Sequence, residues 1–138
     1  MKWRDALTSF VLALAAMGVV GRVDPHSAEA SCAMLPSLSR VLATAPVVFV
    51  GKVVTTRNHS MTAIVRVQDV WRGRQVPKVA EVDNNSSEDY RLFERSVVYL
   101  FVPEAVSRRS QYQDNACSAT RRYSRALAKF RPARAHRP

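Results

Sequence analysis

Cysteine is the side chain here best able to form a covalent bond, and it occurs twice, at Cys32 and Cys117. Two thiols can close a disulfide, stay free, or contribute to a metal site. A structural zinc site wants four ligands. The three histidines, His26, His59 and His136, fall in a leader, a turn and a tail, so no zinc set is expected. Asp83, Glu88, Asp89 and Glu94 could offer oxygens to calcium but lack the spacing of a calcium loop. There is no nucleophile elbow, phosphate loop or HExxH pattern. These residues point to no catalytic centre, no metal and no cofactor, and to a binding protein rather than an enzyme.

The compartment decides what the two cysteines do. Met1–Asp5 carries Lys2 and Arg4, Ala6–Gly21 is almost wholly apolar, and a polar stretch ends in Ala28-Glu29-Ala30. That order is a secretory signal peptide over residues 1–30, with cleavage after Ala30. A run of sixteen residues interrupted by Thr8 and Ser9 is short for a membrane anchor, which wants about 20 apolar residues. With the leader removed, no transmembrane segment is expected, and the protein belongs outside the cytoplasm, periplasmic or extracellular. Oxidising surroundings favour a Cys32–Cys117 disulfide. Closing so long a loop stabilises by roughly 4–5 kcal/mol on the chain-entropy model.

Charge separates the mature chain into two parts. Loss of the leader removes three basic and three acidic residues, leaving the net charge at +10. Residues 31–114 hold eleven Lys/Arg against eight Asp/Glu, whereas from Cys117 onward there are seven basic residues and no acid. Arg121, Arg122, Arg125, Lys129 and Arg131 form a basic surface suited to an anionic envelope or polyanion. Sequence-specific nucleic-acid recognition is disfavoured, because Tyr123 and Phe130 fall on an apolar stripe and are expected to pack rather than stack on bases. Asn58-His59-Ser60 and Asn85-Ser86-Ser87 are glycosylation sequons, meaningful only in a host that glycosylates them.

The elements that would position these residues are mostly strands. A short helix is expected over Ser37–Ala43, with Pro46 just past its end. Val47–Val54 reads as a buried strand bent at Gly51. Arg57–Ser60 turns the chain into a second strand, Thr62–Trp71, whose Ala63, Val65, Val67 phase slips before Val70. A bulge near Gln68-Asp69 accounts for the slip. Val76–Val82 is a third strand, Phe93–Val102 a central one, and Ser107–Asn115, with Tyr112, a short last one. Tyr123, Ala126, Leu127 and Phe130 give a C-terminal helix one apolar stripe. Trp71 is expected to be a core anchor, and residues 131–138 to be a basic disordered tail. About five strands and a flanking C-terminal helix in residues 31–130 suit a mainly β, five-stranded OB-fold Greek-key barrel; the runner-up, a β-sandwich, usually needs about seven strands.

Several stretches occur in the order found in one known family. Ser31-Cys32, Ala45–Val53, Val67-Gln68-Asp69-Val70-Trp71-Arg72-Gly73, Tyr99-Leu100 and Cys117-Ser118-Ala119-Thr120 together resemble the netrin-like domains related to tissue inhibitors of metalloproteinases. The resemblance implies a secreted OB-fold without catalytic machinery and a disulfide between Cys32 and Cys117. In the inhibitors, the α-amine and carbonyl of the first residue chelate the protease zinc. That cysteine is followed by another two residues later, and it is bridged to the loop before the Tyr-Leu strand. In this chain the two bridge positions are Ala30 and about Asp89, so one complete bridge is missing. Carried over residue by residue, the resemblance leaves Ser31 and Cys32 as candidate contacts to a secreted zinc metalloprotease. The alternative is a non-inhibitory extracellular binding module acting through barrel loops and the basic C-terminal helix and tail.

Overall fold

A computed structural model describes Cys32, residues 37–84 and residues 91–138. Ser37 starts α1 (Leu38–Thr44), its hydroxyl accepting from the Arg40 N–H. The helix stops at Ala45, immediately before Pro46, a residue that disfavours helical geometry in its predecessor. Seven strands follow: β1 (Val48–Arg57), β2 (Thr62–Arg72), β3 (Val79–Asp83), β4 (Val98–Phe101), β5 (Ala105–Arg108), β6 (Gln111–Gln113) and β7 (Arg121–Arg122). A 3₁₀ helix, Arg125–Phe130, completes the order. The strands form one mixed sheet, β5-β6-β3-β2-β1-β4-β7, that is not closed. Among the described residues only the β3–β6 pairing is parallel.

β1 and β2 are long, and each departs from regular pairing where it must bend. Gly51 lies so close to Val65 and the Arg66 backbone that a Cβ would collide with both. Gln68 is the extra residue between the pairs Gly51–Val67 and Val50–Asp69, which is the expected bulge. Trp71 is a second extra residue, between Phe49–Val70 and Val48–Arg72, and Val54 is a third, on β1. Each inserted residue flips the side-chain phase. Val70 thereby rejoins the face of Ala63, Val65 and Val67, while Trp71 goes to the opposite face. The β1–β2 turn holds Asn58, His59 and Ser60 at φ 50°, 54° and 68°. Asn58 is the residue best suited to that left-handed geometry, and its side chain also bonds Thr62 Oγ1.

The sheet is apolar on both faces. Its concave side encloses Phe49, Val53, Ala63, Val65, Val67, Val70, Val82, Phe93, Tyr99, Phe101 and Tyr112. The Phe49 ring lies 5.1 Å from Phe101 and 5.4 Å from Tyr112, so β6 is curled round to face β1 across the core. The convex side of β1, β2 and β4 carries Val48, Val50, Trp71, Leu100 and Val102. It is covered by α1 and the C-terminal segment through Leu38, Val41, Leu42, Tyr123, Leu127 and Phe130.

Several boundaries differ from the sequence reading. The third strand begins at Val79 rather than Val76, because Val76 turns into the core before β3 aligns with β2. The central strand is confined to Val98–Phe101, with residues 91–94 irregular. The expected last strand is a hairpin, β5 and β6, around residues 109–110. The C-terminal helix is 3₁₀, with three residues per turn, so Leu127 and Phe130 share a face and Ala126 is exposed. Residues 131–138 are not a disordered tail. They turn back along β2, where His136 and Val70 exchange backbone hydrogen bonds of 2.7 and 3.0 Å. β3 has diverged from β2 beyond Val67, leaving that edge free to be paired.

Candidate functional site

The Cys32–Cys117 disulfide forms, with an S–S distance of 2.03 Å and Cα atoms 5.4 Å apart, across 85 residues of chain. The segment receiving Cys32 is tightly fastened. The Cys117 N–H donates to Asn115 Oδ1 at 2.7 Å, and the Thr120 N–H to Ser118 Oγ at 3.1 Å. Thr120 Oγ1 accepts the Val102 N–H at 2.8 Å in the interior, which ties the segment to the end of β4. The clasp therefore holds Cys32 against a fixed support. Ser31, the other candidate contact, lies outside the described residues. Beside Cys117 a small cleft of about 220 Å³ runs between the end of α1 and the loop at Pro103 and Glu104.

Beneath the clasp lies a buried polar cluster that the sequence reading missed. Asp114 is 4% exposed, and neither carboxylate oxygen has a hydrogen-bond partner among the described residues. Burial pushes its pKa up to about 6, against the opposing pull of Ser118, Arg91, Thr120 and the Asn115 backbone. Those polar groups lie close enough to favour the charge, but they only partly offset the burial. Arg91 donates to the carbonyls of Ala116 (3.1 Å) and Ser118 (3.4 Å), and burial lowers its own pKa. Asn84, fully buried, donates to the Arg91 carbonyl at 2.6 Å. One signal was available: Asp114 stands two residues after Tyr112, in the inward phase of β6.

The basic residues do not converge. Arg121 and Arg122 lie on the β7 edge, Arg125 and Lys129 on the 3₁₀ helix, and Arg131 just beyond it. Three have hydrogen-bonded or ionic partners, and Lys129 Nζ lies over the Phe130 ring, 5.1 Å from its centroid. Arg121 Nε donates to the Ala119 carbonyl, and Arg122 pairs with Glu94. Arg131 grips Asp69 with two nitrogens, at 2.6 and 2.9 Å. Partial burial raises the Asp69 pKa, but the hydrogen bonds from Arg131 and Trp71 and the Arg131 charge outweigh it. Asp69 therefore sits below its ordinary value. Arg125, Lys129, Arg134 and Arg137 form no salt bridge among the described residues.

Trp71 is 5% exposed, the anchor expected of it. Its indole N–H donates to Asp69 at 2.8 Å, and Tyr123 meets it edge-on at 6.2 Å. His59 is exposed in the β1–β2 turn, and His136 acts through its backbone. Asp83 accepts from Thr62 and Glu94 pairs with Arg122, while Glu88 and Asp89 lie outside the described residues. Among the described residues no three His, Cys, Asp or Glu side chains gather as a metal site, and no helix is long and apolar enough to cross a membrane.

No protein-family model matches the chain, and comparison with curated proteins finds no match.

Proposed function

We propose that the chain is an exported, non-catalytic binding domain of the netrin-like inhibitor type, an OB-fold barrel whose contact surface is its clasped N-terminus. Three features support the OB reading: a β1–β2–β3 meander, β4 paired back onto β1, and a later strand parallel to β3, all coiled round one aromatic core. OB barrels are Greek-key sheets that stay partly open. The observation carrying the functional reading is the Cys32–Cys117 bridge onto the fastened Asn115–Thr120 segment.

Cleavage after Ala30 makes Ser31 the first residue, one peptide unit from a fixed anchor. A neutral α-amine and adjacent carbonyl so placed are a bidentate ligand for a protease zinc, displacing the water that the metal would activate. Anchoring reduces the ordering cost of binding, and the missing second bridge leaves some of that cost in place. Inhibition is therefore weaker than a doubly bridged terminus would give. The test is titration of secreted zinc metalloproteases with protein beginning at Ser31 and with protein carrying one extra residue before it. Inhibition lost in the extended form supports the reading; equal inhibition by both removes the amine from the mechanism.

The second reading is a module that binds an anionic envelope surface or polyanion. The observation favouring it is the set of four C-terminal cations, Arg125, Lys129, Arg134 and Arg137, that form no salt bridge among the described residues. Retention on heparin that survives neutralising all four would overturn it.

A further inference from the structure

One cleft on the convex side has no part in the proposed inhibitory contact. It measures about 590 Å³ and lies between α1, the adjoining ends of β1 and β2, and the C-terminal segment. Its walls are apolar: Leu42 from α1, Val48 and Trp71 from the strands, and Phe130 from the 3₁₀ helix. Its charged lining residues are both arginines, Arg72 and Arg134, with no carboxylate among the lining. Arg72 is held in place by donating to the Leu42 and Ala43 carbonyls at the end of α1. Arg134 has no ion pair among the described residues. The nearby carboxylate, Asp69, is already committed to Arg131 and the Trp71 indole, so it is not available to neutralise the mouth.

A cavity of this size is in the range of small-molecule sites, about 300–1,000 Å³, which are typically apolar with a few orienting polar groups. Apolar walls with guanidinium groups at the edge complement a ligand with a hydrocarbon body and one anionic end. Guanidinium pairs geometrically with carboxylate. We propose that this cleft binds a free single-chain fatty carboxylate, its chain against Trp71 and Phe130 and its head between Arg72 and Arg134. The site is independent of the N-terminal clasp and stands or falls apart from protease inhibition.

Trp71 gives a direct readout. The sequence has two tryptophans, so in the full chain carrying Trp3→Phe the emission comes from Trp71 alone. Monomeric octanoate, decanoate and dodecanoate are titrated in turn, with dodecyltrimethylammonium as the cationic counterpart. The expected result is a saturable change in Trp71 emission at one ligand per protein. Each added methylene that is buried tightens binding by about fourfold, so dodecanoate binds at least about tenfold tighter than octanoate. Arg134→Gln weakens dodecanoate about tenfold with the melting temperature unchanged, and Ala133→Phe, which fills the cleft, abolishes the signal. Three results would overturn the proposal. They are equal binding of the cationic amphiphile, affinity unaffected by Arg134→Gln, and a response to anionic phospholipid vesicles without one to dodecanoate.

Discussion

The two faces of the sheet are built from similar residues and closed by different means. The concave face is sealed by the sheet itself. Phe49, Phe93, Tyr99, Phe101 and Tyr112 interlock with ring centroids 5.1–5.9 Å apart; Phe49 and Phe101 have no exposure and the other three almost none. The convex face is covered by separate pieces: a two-turn helix, a 3₁₀ helix and a returning C-terminal segment. Clefts of about 590 and 550 Å³ remain beside these pieces. Close packing stabilises the first face and leaves no room for a partner. The second face sacrifices packing density and gains concave, arginine-bordered surface. The tightly packed core thus lies inside the curl, and open concave surface lies where the covering pieces meet.

The disulfide is the strongest tie between the covering pieces and the sheet, so breaking it gives the largest expected effect. Replacing both Cys32 and Cys117 with Ser is expected to cost about 4–5 kcal/mol, given the 85-residue separation. Urea unfolding checks this. Phe101→Ala attacks the concave face instead. Phe101 is fully buried against Phe49, Phe93 and Tyr99, and a loss of about 3–5 kcal/mol is expected by the same measurement. A loss below about 1 kcal/mol would erase the distinction between the faces.

Asp114 gives a smaller, pH-dependent effect. Its folded pKa is raised to about 6 from 3.8, so proton binding favours the folded state. Its contribution is fully present below pH 4, is lost as pH rises to about 6, and is constant above. The span is on the order of 1–3 kcal/mol. Urea midpoints between pH 4 and 8 should show this decline, and Asp114→Asn should flatten it. The smallest effect belongs to Asp69→Asn, which cuts the Arg131 grip on the returning segment. Because the pair is partly exposed, about 0.5–1 kcal/mol is expected. The sign with pH is opposite: the Asp69 pKa is lowered, so its contribution is lost as pH falls into the acid range. Faster amide exchange at Val70 and His136, with β1 unchanged, is the specific signature.

Features set by local chemistry were legible in the residues. The Asn58 turn, the bend at Gly51 and the slip at Gln68 each follow from side-chain type or from a two-residue phase, and each is seen. Features set by distant pairing were not. The run 131–138 is rich in Arg and Pro, and nothing within it shows that β2 leaves an edge free beyond Val67 for His136 to pair with. Arg91 and Asp114 look like ordinary polar loop residues until β6 lies beside β3 and brings them together. Cys32 and Cys117 were readable as a pair, whereas the arginine-edged cleft depends on α1, Trp71 and Phe130 meeting from three separated stretches.

The central claim is that the clasp makes the N-terminus a rigid ligand. The most direct measurement is an inhibition titration of zinc metalloproteases, comparing protein beginning at Ser31 with its Cys32→Ser/Cys117→Ser counterpart. The comparison is made at a temperature where circular dichroism shows both folded. The account predicts inhibition by the clasped protein and a loss of at least about tenfold without the bridge. Equal inhibition by the two, or none by either, would contradict it.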